Sequence, residues 1–191
     1  MSAAFGPPTI IRPARPEDIP QVHAIYSHYV LHTPTDMHHV PPSLASFAAE
    51  YESLTSLDLP YLVAVTSPDP DMSQSQNETS ETTLKHQSQD AERVLGFIHA
   101  FPFRGYKLGY SHTAELAIIC HPDAIKHGVG SALMKAFINA LENGRKIEQI
   151  LAFMTVLEDQ EEDRRVKGFY EKWGFRNAGK VVDVGQKFGR R

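Results

Sequence analysis

The stretch Leu116 to Lys135, LAIICHPDAIKHGVGSALMK, constrains the chain more than any other. Leu116 to Cys120 are mostly β-prone and apolar, and His121-Pro122 stops them. A short polar loop then leads to Gly128 and Gly130. After it, Val129, Ala132, Leu133, Ala136, Phe137, Ala140 and Leu141 recur at helical spacing, which puts them on one face. Gly144 is placed to stop that helix. Strand, glycine turn and helix in this order give a helix N-terminus whose first amides have no intrahelical acceptor. The glycines let an anion come close to that backbone. Lys126 and His127 lie beside it. Two readings stand at this point: a tight structural turn, or an anion site.

Composition decides how local such a site must be. A net charge of -4 over 191 residues gives no general attraction to nucleic acid or to an anionic membrane, so any anion would be held by the turn itself. The length suits one domain, with or without a floppy insert. Cys120 is the only cysteine, which excludes an intramolecular disulfide, and its apolar neighbours point to a structural thiol rather than a nucleophile. No apolar run approaches the ~20 residues of a membrane-spanning helix. The first residues, MSAAFGPP, lack the basic and apolar regions of a secretory signal, so a cytoplasmic protein is expected. The histidines are scattered. His38 and His39 are adjacent, with no acidic or cysteine partner at ligand spacing, and no metal is expected.

In chain order, Thr9 to Arg12 read as a short strand. Asp18 is the expected cap of a first helix, with Pro20 in its first turn and Ile19, Val22, Ile25, Tyr26 and Tyr29 facing inward. Ser43 is the expected cap of a second helix, with Leu44, Phe47 and Tyr51 facing inward. Pro60 to Thr66 and Arg93 to Phe101 read as strands. Between them, residues 67–92 are rich in Ser, Gln, Asp, Glu and Thr and nearly empty of bulky apolar residues, which reads as a disordered insert. A strand is expected over 111–120, another over 147–157 parallel to it, a helix over 160–173 and a last strand over 179–184. The order β-α-α-β-β-β-α-β-α-β is that of a mixed α/β sheet.

Three places on this frame offer chemistry. Glu115 sits mid-strand, on the face opposite Leu116 and shared with Thr113 and Ala117. It is either a solvated edge carboxylate or a general base. Tyr170 lies in FYEKWGF, at the end of an amphipathic helix; it is either core or a phenol able to return a proton to a leaving thiolate. Arg104 and Tyr110 belong to the loop that runs into the Glu115 strand. The guanidinium there is either solvated or a fork for an acidic substrate group.

Taken together, Phe103-Arg104, Tyr110, Thr113-Ala-Glu115 and Gly128-Val-Gly130 resemble the phosphinothricin N-acetyltransferase branch of the GNAT acetyltransferases. Ile11-Arg-Pro-Ala14, Ser27-His-Tyr-Val30, the late helix ending at Phe175 and Lys187-Phe-Gly189 are similar to other parts of that pattern; residues 67–92 have no counterpart. The resemblance implies that residues 1–191 form a single GNAT domain carrying the insert. The implied fold is α/β, a mixed and mostly antiparallel sheet with a splayed parallel strand pair and flanking helices.

The implied activity is transfer of an acetyl group from acetyl-CoA to the amine of a small amino acid or phosphinothricin-like analogue, by direct attack in a ternary complex. Glu115 would be the base and Tyr170 the acid. The backbone of Ile118, Ile119 and Cys120 would pair with the pantetheine arm, and Lys126, His127, Gly128, Val129, Gly130 and Ser131 would hold the pyrophosphate. Asp163 falls near a position where the family often has an Asn that contacts the coenzyme, and Ile125 stands where it usually has Gln or Arg. Arg104 and Tyr110 would position the substrate. The expected partners are a small-molecule amine and a second copy in a homodimer, with neither nucleic acid nor membrane. The family continues past its Lys-x-Gly into a further strand that supports the substrate side, whereas this sequence stops at Arg191. Acetylation of another small amine or a peptide, and a silent acyl-CoA-binding module, remain alternatives.

Overall fold

The computed structural model describes residues 9–66, 92–105, 107–144, 147–156 and 161–189. Strands β1 (Thr9–Pro13), β2 (Tyr61–Thr66), β3 (Val94–Pro102), β4 (Thr113–Cys120) and β5 (Gln149–Ala152) form one sheet in that spatial order. All neighbours are antiparallel except β4 and β5, which are parallel. A parallel pair needs a crossover, and helix α3 (Val129–Gly144) supplies it. Helices α1 (Ile19–His32) and α2 (Leu44–Ser56) lie between β1 and β2, and α4 (Glu161–Lys172) follows β5.

Strand alternation divides the core into two. Tyr61, Val63, Val65 and Phe97 pack with Ile19, Val22 and Ile25 of α1 and with Phe47, Tyr51 and Leu54 of α2. Leu62, Ala64, Ile98, Ala100, Ala114 and Leu116 meet Val129, Leu133, Met134 and Phe137 of α3 on the other face. Because Ala114 and Leu116 point toward α3, Glu115 points toward the α1–α2 side, as alternation requires.

Local chemistry sets the helix starts. The Ser43 hydroxyl accepts the Ser46 amide at 3.1 Å and caps α2, as expected. Leu44, however, is exposed, and Leu54 takes the inward place with Phe47 and Tyr51. Asp18 stands before α1 but does not cap it. Its carboxylate receives both terminal nitrogens of Arg12, at 2.7 and 2.9 Å, and the Arg15 amide at 2.7 Å. A guanidinium fork binds a carboxylate more strongly than helix amides do, so the ion pair wins the side chain.

The C-terminal third departs from expectation. β5 spans Gln149–Ala152 only, and Phe153 beyond it is exposed. No strand forms over 179–184, leaving a five-stranded sheet among the described residues. Val181, Val182 and Val184 are exposed, and Asp183 adopts φ +55°, which breaks an extended run. The chain instead docks through Lys187, which is 2% exposed and donates to the carbonyls of Val30 at 2.6 Å and Asp36 at 2.7 Å. Val30 lies in the last turn of α1, where carbonyls lack intrahelical partners. Most of the expected insert, residues 67–91, lies outside the described residues; Glu92 is described and pairs with Arg12 at 2.5 Å.

Candidate active site

The site begins where two strands part. β4 pairs with β5 from Thr113↔Gln149 to Leu116↔Ala152 and then loses it, while its other edge stays on β3 as far as Gly96↔Cys120. In that antiparallel ladder the odd-numbered residues of β4 bond to β3: Phe103 N–H donates to the Thr113 carbonyl, and just past the strand His121 N–H donates to the Leu95 carbonyl at 2.8 Å. Alternation therefore turns the backbone of Ile118 and Cys120 into the gap that β5 leaves, and that of Ile119 toward Phe97. One gap-facing acceptor is already used. The Tyr29 hydroxyl, on α1, donates to the Cys120 carbonyl at 2.8 Å.

The glycine turn lies at the far end of the gap. Lys126 and Gly128 both have left-handed backbone, φ +68° and +83°. The first bond of α3 runs from Ala132 N–H to the Gly128 carbonyl at 3.0 Å, so the amides of Val129, Gly130 and Ser131 have no acceptor within the helix. A methyl on Gly130 would meet Cys120 Sγ at 3.6 Å and Phe169 at 3.7 Å, ordinary contact distances, so Gly128 is the position whose backbone demands glycine. Amide donors at a helix N-terminus fit a phosphate group. Burial pushes the Cys120 thiol up to about 11, which suits a packed thiol and not a nucleophile.

Glu115 is half-buried and faces Phe101 on β3. One carboxylate oxygen accepts the Arg104 amide at 3.4 Å, so the structure joins these two residues through the main chain. The Arg104 side chain is exposed, and its backbone is left-handed at φ +52°. Tyr110 is 41% exposed and meets Phe103 edge-to-face at 5.3 Å. Tyr170, on α4, contacts Phe169 and Phe175 with ring centroids 5.5 and 5.3 Å away. Burial pushes its phenol up to about 12, so it holds its proton at neutral pH. Asp163 keeps one carboxylate oxygen buried and unpartnered among the described residues. Such an oxygen accepts a donor and repels phosphate.

His99 carries no signal in the sequence beyond its alternation. It lies on the Glu115 face of the sheet, opposite Ala117, stacked on Tyr61 with centroids 4.7 Å apart and 5.7 Å from Phe101. Burial pushes it down to about 4, so the imidazole is neutral. A cleft of about 470 Å³ lies elsewhere, between α1, the start of β3 and the loop after β4; His28, Arg93 and His121 line it, and no expected site residue does. Among the described residues, no group of three or more His, Cys, Asp or Glu could hold a metal ion.

The acetyltransferase (GNAT) domain family matches residues 86–177, which hold the fork and the glycine turn. The chain has the GNAT fold. It is similar to an N-acetyltransferase of Streptomyces griseus, 29% identical over 94% of this chain and 80% of that protein. A phosphinothricin N-acetyltransferase of Alcaligenes faecalis is 28% identical over 94% of this chain and 76% of its own length. Among solved structures, the GNAT-superfamily phosphinothricin acetyltransferase of Sinorhizobium meliloti, in complex with AcCoA, superposes with a TM-score of 0.74. It is 22% identical, covering 95% of this chain and 82% of that one.

Proposed function

We propose that the chain transfers an acetyl group from acetyl-CoA to the primary amine of a small amino acid or phosphinothricin-like analogue. The observation that carries this reading is the fork: β4 runs on from Leu116 to Cys120 without β5, with Glu115 just before the parting and the glycine turn just after it. The pantetheine arm would lie in the gap as a strand does, pairing with the backbone of Ile118 and Cys120. Its pyrophosphate would sit on the amides of Lys126 to Ser131. Glu115 would take a proton from the substrate ammonium, directly or through water, leaving an amine lone pair to attack the thioester carbonyl. Collapse of the tetrahedral adduct would release coenzyme A thiolate, and Tyr170 would protonate it. Arg104 and Tyr110 would hold the acidic group of the substrate. The relative from Alcaligenes faecalis, a phosphinothricin N-acetyltransferase by name, supports this substrate class.

The test is a thiol-release assay with acetyl-CoA over a panel of phosphinothricin, methionine sulfoximine, ordinary amino acids, simple alkylamines and short peptides. Turnover confined to amines bearing a nearby acid group supports the reading. Turnover of alkylamines or peptides alone replaces the substrate class. Coenzyme binding without turnover of any amine replaces the enzyme with an acyl-CoA-binding module.

A further inference from the structure

We infer that Tyr29 sets the register in which the acyl-carrier arm lies along β4, and so places the thioester beside Glu115. This rests on the proposed use of the gap by acetyl-CoA.

Past Leu116 the β4 backbone offers the gap two carbonyls, those of Ile118 and Cys120. They are equivalent acceptors for an amide N–H of an extended arm, but they lie two residues apart, roughly 6.8 Å at ~3.4 Å per residue. An arm paired at Cys120 would therefore hold its thioester one repeat farther from Glu115 than an arm paired at Ile118. The fold distinguishes them, because a carbonyl that already holds one donor is the poorer acceptor for a second. Tyr29 reaches from α1 and spends its hydroxyl proton on the Cys120 carbonyl at 2.8 Å.

The phenol is a dependable donor. Burial pushes it up to about 12, with Cys120 and Glu162 adding to the rise and Arg165 opposing it, so it keeps its proton through the neutral range. Tyr29 is also fixed on its own helix, because its carbonyl accepts both the Thr33 amide at 3.0 Å and the Thr33 hydroxyl at 2.8 Å. The donor thus sits at the end of the gap nearest the glycine turn. It occupies the acceptor that an arm entering from that turn would meet first.

Tyr29→Phe keeps the ring and deletes the donor. Three quantities are read on the full chain: the melting temperature, coenzyme A affinity by calorimetry, and kcat with the best amine of the panel. The expected result is kcat lowered about twofold, with coenzyme A affinity within about threefold of wild type, because the arm still binds but divides between two equivalent registers, one of them unproductive. Tyr29→His, which restores a ring N–H donor, is expected to recover part of kcat. Unchanged kcat in Tyr29→Phe overturns the inference. So does a parallel loss of affinity and kcat, which would make Tyr29 a wall of the groove and not a selector. If Tyr29→Phe does not fold, full kcat in a folded Tyr29→Leu overturns it equally. Wild-type chain that does not bind coenzyme A refutes the underlying reading, and that failure appears in the control before any variant is compared.

Discussion

Replacing Arg12 by Met should destabilise the fold strongly, and the reason lies in what it leaves behind. Arg12 bonds to Asp18 through two nitrogens at 2.7 and 2.9 Å and to Glu92 through two at 3.2 and 2.5 Å. The Arg12 and Asp18 side chains are 12% and 8% exposed. Methionine fills the stem but strands the Asp18 carboxylate with only the Arg15 amide for a partner. Removing one member of a buried ion pair costs about 3–5 kcal/mol. At ~2–4 °C per kcal/mol for a chain of this size, the melting temperature should fall by roughly 6–20 °C. Arg12→Met/Asp18→Asn should recover much of this, since the neutral amide is cheaper to bury. The pH dependence has a definite sign. Burial pushes the Asp18 carboxyl up, but the bonds from Arg12 and Arg15 more than offset this and hold it below its usual 3.8. A carboxyl lowered in the folded state adds stability above its unfolded pKa, and that stability is lost as pH falls through the folded value. Wild type should therefore lose stability as acid is added below about pH 4, and Arg12→Met should lose less. Urea melts at pH 7 and at pH 3 measure both effects. A loss under about 1 kcal/mol at pH 7, with an unchanged acid limb, would refute the reasoning.

Other consequences follow from single positions. Gly128→Ala should cost about 1–2 kcal/mol in thermal melts, because φ is +83° and space around the site is open, so only the left-handed backbone penalises the methyl. His99 is pushed down to about 4 in the folded chain, so the unfolded chain binds its proton first; stability should decline as pH falls from about 6.5 toward 4, and His99→Phe should flatten that stretch. Cys120, pushed up to about 11, should react with iodoacetamide at pH 7.5 far more slowly in the native chain than in urea. Tyr170→Phe should lower kcat by about 10–100-fold and leave the pH–rate profile unchanged below pH 10, since the phenol holds its proton to about 12.

Much of the frame was legible because it depends on local chemistry. The glycine turn, the Ser43 cap and the alternation that sends Glu115 away from Leu116 need only near neighbours in sequence. What escaped depends on partners far along the chain. Asp18 reads as a cap until Arg12 claims it, and the sequence does not show that Lys187 is buried against the Val30 carbonyl of α1. The valines at 181, 182 and 184 have strand propensity, but propensity makes a strand only where a neighbour supplies a ladder, and Asp183 turns the chain aside. Within the site, the reach of Tyr29 to Cys120 spans 91 positions and has no trace in local pattern. Ile119 reads in sequence like its neighbours Ile118 and Cys120, but the register against β3 turns its backbone toward Phe97, and register is tertiary.

The central claim is that the carboxylate at the fork serves acetyl transfer to an amine held there. Thiol release from acetyl-CoA with phosphinothricin as acceptor, compared between wild type and Glu115→Gln at equal coenzyme A affinity, tests it most directly. Loss of a general base predicts kcat lower by about 10²–10⁴-fold in the variant near neutral pH, with partial recovery as rising pH deprotonates the free amine. Equal kcat in the two proteins across pH 6 to 9 would contradict the account.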